Sequence, residues 1–88
     1  MFLIAVYDIK EERVAKVYAL MRRYLMRRQR SVFDGEITQA NYTELKEKVQ
    51  SLINPEEDTV IFYELRVCPD TITSFGIPKH HKDEFIIG

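Results

Sequence analysis

An aspartate closes the first apolar run of the chain. Phe2, Leu3, Ile4, Ala5, Val6 and Tyr7 lead without a break into Asp8. An acid in that place is held at the end of a buried strand, and two readings stand for it. Asp is a good N-cap residue, so Asp8 can open the helix that follows. It can equally be a metal ligand, since Mg²⁺ usually takes one or two carboxylates and keeps several waters. One chain offers a single carboxylate here. A two-fold dimer offers a second, because an isologous interface repeats the same patch on both subunits. Two carboxylates facing across the axis repel, and one pKa rises unless a cation sits between them. A metal so held activates water or polarises a phosphate.

The second chemical feature is basic. From Lys10 to Arg30 the chain carries Lys10, Arg13, Lys16, Arg22, Arg23, Arg27, Arg28 and Arg30 against Glu11 and Glu12, a local charge of +6 within a net charge of −1. Such a division points to phosphates on one face. Guanidinium groups match phosphate oxygens bidentately, and Gln29 and Ser31 add neutral donors. A solvated basic helix end and hairpin is the competing reading. His80 and His81, beside Lys79 and Lys82, read as a solvated tail pair. Tyr7, Tyr18, Tyr24, Tyr42 and Tyr63 read as core and interface aromatics. Cys68 is the only cysteine, which excludes a disulfide framework. One Cys with two His gives no familiar zinc spacing. No apolar run approaches the ~20 residues of a membrane helix, and the opening lacks the basic start and long apolar core of a signal peptide. A mature cytoplasmic protein is expected.

These residues need elements to position them. The 88 residues suit one domain, short enough that dimerisation is a common remedy for marginal stability. The run to Tyr7 reads as a buried central strand. Val14, Tyr18, Met21 and Leu25, widened by Val17, Leu20 and Tyr24, mark an amphipathic helix over 10–25, about four turns long. Gln29 to Thr38 reads as a hairpin turning at Asp34-Gly35, a pair that tolerates the positive φ angles of a two-residue turn. Extended, it places Arg28 and Arg30 with Val32, and Arg27, Gln29 and Ser31 with Phe33. Asn41 or Thr43 caps a second helix over about 42–53, with Tyr42, Leu45, Val49, Leu52 and Ile53 inward and Asn54-Pro55 ending it. Thr59 to Val67 is a strand with Ile61, Tyr63, Leu65 and Val67 on one face. Its other face, Val60, Phe62, Glu64 and Arg66, turns polar halfway, as at an edge or interface. Glu84 to Ile87 reads as a last short strand. The order is βαββαβ with a C-terminal addition: an α+β domain with an antiparallel sheet and both helices on one face.

Val6-Tyr7-Asp8-Ile9, Gln29-x-Ser31-Val32-Phe33-Asp34-Gly35 and Asp58-Thr59-Val60-Ile61-Phe62-Tyr63-x-Leu65 together resemble the CRISPR-associated small adaptation family, the second Cas protein, often labelled an endoribonuclease. The resemblance spans nearly the whole chain in order. It implies a ferredoxin-like homodimer in which the C-terminal strand, here 78–88, packs on the partner's sheet. It implies that Asp8 and its copy hold Mg²⁺ or another divalent cation in the dimer cleft. It also implies metal-dependent nuclease activity on RNA or double-stranded DNA, and bridging of two dimers of the adaptation integrase, the first Cas protein, during spacer capture. Tyr7 and Asp8 match the family's strand-end pair, Arg27 its basic residue two before the Gln, and Ser31 and Phe33 its hairpin motif. Arg13 matches a basic residue of the first helix more loosely. Two departures stand out. Tyr24 is followed by Leu25-Met26 where many members have Gly, so the helix runs longer or turns differently. Asp34 stands where Glu is common.

Three function classes follow. In a metal-dependent phosphodiesterase, Asp8 holds the cation, Arg13 and Arg27 steady the developing phosphate charge, and Ser31 orients a phosphate oxygen. In a non-catalytic adaptor, Arg22, Arg23, Arg27, Arg28 and Arg30 meet duplex phosphates, and the acidic tail around Asp83 and Glu84 docks a protein partner. A small-molecule-binding regulatory dimer is the alternative, and it calls for an apolar pocket with few arginines.

Overall fold

The computed structural model describes residues 1–70 together with Thr73 and Phe75. Along the chain lie β1 (Phe2–Asp8), α1 (Glu11–Met21), β2 (Met26–Gln29), β3 (Val32–Glu36), α2 (Gln39–Leu52) and β4 (Thr59–Leu65). The strands form one sheet in the order β2-β3-β1-β4, antiparallel at every junction. This is the expected α+β, ferredoxin-like arrangement. The expected strand within 78–88 lies outside the described residues, with His80, His81, Asp83 and Glu84.

Period-two alternation decides which face of the sheet is core. Leu3, Ala5 and Tyr7 of β1 and Phe33 of β3 are buried with Val17, Leu20 and Met21 of α1 and Tyr42, Leu45 and Val49 of α2. Both helices therefore cover one side. The opposite side carries Ile4, Val6 and Asp8 with Ile61 and Tyr63, paired as Val6 with Ile61 and Ile4 with Tyr63. Ile61 and Tyr63 are 43% and 53% exposed. In β4 the uniformly apolar set thus faces outward, and the set that turns polar faces the helices. Glu64 is accommodated there because the Tyr42 hydroxyl donates to its Oε2 at 2.6 Å. Burial and that bond push the Tyr42 phenol up to about 12.

Helix α1 is shorter than its periodicity predicts. The amides of Tyr24 and Leu25 both return to the Met21 carbonyl, at 3.0 and 2.9 Å. This turn drops Leu25 back into the core. Leu25 therefore closes a turn of another kind that ends the helix, and Met26 opens β2.

The hairpin also differs from expectation. The chain reverses at Arg30-Ser31, and Asp34-Gly35 lies within β3, opposite Ile4 and Leu3. Local turn preference lost to a tertiary pairing. Asp34 is buried, and Arg28 forks onto it with Nε to Oδ2 at 2.8 Å and Nη2 to Oδ1 at 3.0 Å. An irregularity between Arg27 and Gln29 sets Arg27 opposite Phe33 and Gln29 opposite Val32, so the simple alternation expected for this segment does not hold. Helix α2 starts earlier than expected, capped by Thr38, whose hydroxyl accepts from the Asn41 amide at 3.1 Å.

Candidate functional site

Asp8 ends β1 as an exposed residue on the uncovered face of the sheet, paired in the ladder with Thr59. It does not cap α1. The N-cap is Lys10, which has no side-chain cap, and the Lys10 amide donates to Asp58 Oδ1 at 2.9 Å. Asp8 is still in the ladder two residues before the cap, so it cannot reach the first turn. Its carboxylate forms no ion pair among the described residues. The acid that organises this junction is Asp58, whose role no local pattern in the sequence announces. Its side chain is fully buried. It accepts from the Lys10 and Asn54 amides and from Arg13 Nε and Nη2. These bonds, the Arg13 fork first, hold the Asp58 carboxyl well below the usual carboxylate range. The only local signal was an acid at the turn-to-strand boundary after Asn54-Pro55.

The candidate arginines separate into distinct places. Arg13 is committed to Asp58, Glu57 and Glu12, with Nη2 to Glu57 Oε1 at 2.8 Å. Arg28 is committed to Asp34. Arg22 and Arg27 come together, their Cζ atoms 5.6 and 5.3 Å from the centroid of the Tyr18 ring. Arg30 follows in the exposed β2–β3 turn. Arg23 lies elsewhere, with Lys16 and Lys48 between the helices.

Tyr18 is held in turn by an edge-on contact with Phe33 at 5.5 Å, and Phe33 stacks with Tyr7 at 6.1 Å. Such aromatic pairs contribute about 0.5–1.5 kcal/mol each beyond burial. Tyr7 also ties the turn to the end of β1. Its amide donates to the Ser31 carbonyl at 3.1 Å, and its hydroxyl donates to the Arg30 carbonyl at 3.3 Å. Burial pushes the Tyr7 phenol up, and the positive charge of Arg27 opposes that. The structure thus brings Ser31 to the strand end that bears Asp8, with Arg27 and Arg22 beside it on the helix side.

No group of three or more His, Cys, Asp or Glu side chains that could hold a metal occurs among the described residues. Asp8 is a lone exposed carboxylate, which fits half of a two-carboxylate site and not a complete one. No helix among the described residues is long and apolar enough to cross a membrane.

The profile of the family described as CRISPR associated protein Cas2 matches residues 1–69. The chain is 39% identical over 87 residues to the CRISPR-associated endoribonuclease Cas2 of Dictyoglomus turgidum, covering 98% of this chain and 100% of the relative. It is 41% identical over 86 residues to the protein of the same name from Pyrococcus furiosus, again covering 98% and 100%. A solved structure described as the crystal structure of cas2 is similar with a TM-score of 0.85 at 34% identity, covering 98% of each chain. Streptococcus pyogenes Cas2 gives a TM-score of 0.68 at 30% identity over 74% of this chain and 86% of that one. The chain belongs to the CRISPR-associated Cas2 family.

Proposed function

We propose that this chain works in CRISPR adaptation, in the cytoplasm, as a homodimer that binds nucleic acid and bridges the adaptation integrase, and that Asp8 and its two-fold copy hold a divalent cation used to cleave phosphodiester bonds. The observation that carries the reading is the place of Asp8. It sits exposed at the end of the one sheet face that no described element covers, in line with the apolar row of Ile4, Val6, Ile61 and Tyr63. Dimerisation through that face buries the row and gives Asp8 its second ligand group.

A cation bound there, Mg²⁺ in the first instance, supplies an activated water and neutralises phosphate charge. The chain's own residues do the rest. Arg22 and Arg27, held against Tyr18, and Arg30 in the adjacent turn receive the phosphate backbone. Ser31, fixed through its carbonyl to Tyr7, offers a hydroxyl at the strand end. Tyr7 and Phe33 keep the turn and the strand end in register.

A second reading, a scaffold without cleavage, is favoured by the single carboxylate per chain at this position. Asp8→Ala separates the two when cleavage of RNA and duplex DNA and integration with the integrase are measured on the same preparation. Cleavage lost with integration intact supports catalysis at Asp8 as a separate activity. Cleavage persisting at the wild-type rate sinks the catalytic assignment.

A further inference from the structure

The helix side of the sheet, away from Asp8, carries a second feature. Helices α1 and α2 leave between them an open groove with a cavity volume of about 410 Å³. Its floor is formed by apolar Ala19, Leu20 and Leu52, and Lys16, Arg23 and Lys48 supply its cations; Ser51 completes the lining, its hydroxyl donating to the Lys48 carbonyl. No carboxylate lines it. Lys16 and Arg23 form no ion pair among the described residues. Glu44, outside the lining, is engaged by Tyr24 and Lys48. The Tyr24 hydroxyl donates to its Oε1 at 3.0 Å, and Lys48 Nζ lies 3.6 Å from its Oε2. Arg23 and Lys48 line the same groove as like charges.

Two properties must be matched together by any occupant: apolar surface along the floor and negative charge along both walls. A free phosphate or a nucleic-acid backbone uses the cations and leaves the floor wet. A neutral apolar ligand uses the floor and leaves Lys16 and Arg23 unpaired; Lys48 already meets Glu44 and donates to the Tyr24 hydroxyl at 3.1 Å. An amphipathic helix with an acidic border uses both, and a groove between two packed helices is the shape that receives a third. We propose that the α1–α2 groove docks an acidic amphipathic helix of a partner protein, its apolar side chains on Ala19, Leu20 and Leu52 and its carboxylates on Lys16, Arg23 and Lys48. The site is independent of Asp8 and of the uncovered sheet face.

The test is a titration of the ¹⁵N-labelled full chain with a synthetic helix of about four turns, Leu at i, i+3, i+4 and i+7 and Glu on both borders. The expected result is amide shifts confined to the groove-lining parts of α1 and α2, weakening with added salt. Lys16→Glu with Arg23→Glu should weaken binding by at least about ten-fold. Ala19→Glu, an exposed helical position that tolerates Glu, should block the floor to the same extent without unfolding the chain. A control helix with Lys in place of Glu should not bind. Shifts outside the groove, or unchanged affinity in both variants, would overturn the proposal. Displacement of the helix from the groove by a single-stranded oligonucleotide would overturn it in favour of nucleic acid.

Discussion

Arg13 and Asp58 are joined by a fork of two hydrogen bonds, Nε to Oδ2 at 2.6 Å and Nη2 to Oδ1 at 3.1 Å, between α1 and the residue that precedes β4. The same carboxylate holds the Lys10 amide, and its neighbour Thr59 pairs with Asp8. The two contacts fix the chain on both sides of Ile9, so Asp8 is placed by Asp58 as much as by its own strand.

Acid stability reports on this clamp. The Asp58 carboxyl is held low in the folded chain, chiefly by Arg13. A depressed native pKa gives stability that is present above the unfolded value, ~4 for an aspartate, and is lost as pH falls toward the native one. Urea unfolding followed from neutral pH downward should show stability falling below about pH 4. Asp58→Asn should be less stable at neutral pH and show a flatter acid limb. A parallel fall in both proteins would contradict the assignment.

Salt dependence separates the arginines. Arg22→Ala, Arg27→Ala and Arg30→Ala should each weaken duplex or RNA binding and lower the slope of log K against log salt by about one phosphate contact or less. Arg28→Ala should act on stability instead. It leaves the buried Asp34 carboxylate without its partner, at about 1–3 kcal/mol. Arg13→Ala should likewise lower stability and leave the affinity of the folded chain unchanged. Fluorescence anisotropy over a salt series, paired with denaturation, reads both effects.

Oligomeric state tests the uncovered sheet face. Light scattering should give twice the chain mass for the wild type. Ile61→Glu, which places a charge in the exposed apolar row, should give the single-chain mass with unchanged far-ultraviolet circular dichroism. A dimer that survives Ile61→Glu and Tyr63→Glu together would locate the interface elsewhere.

Element order and the core were legible because apolar periodicity is local. Leu3, Ala5 and Tyr7 alternate, and Tyr42, Leu45 and Val49 recur at helical spacing, whatever else the chain does. Asp34-Gly35 misled because its turn preference is also local, whereas the pairing with Arg28 and the ladder with Ile4 that overrode it form only in the folded sheet. The helix cap failed at Asp8 for the same reason: the Lys10 amide is satisfied by an acid 48 residues away. Within the candidate site, Asp8 at the strand end was readable. The division of the arginines into those bound to Asp58 and Asp34 and those gathered on Tyr18 was not, since it depends on which carboxylate or ring each meets after folding.

In the proposed dimer, two Asp8 carboxylates share one ion. Calorimetric titration of the full chain with Mn²⁺ and Mg²⁺ tests that sharing most directly. The predicted result is one ion per two chains, lost in Asp8→Ala and lost again in the monomeric Ile61→Glu variant, whose Asp8 is intact. One ion per single chain, or binding retained in either variant, would contradict it.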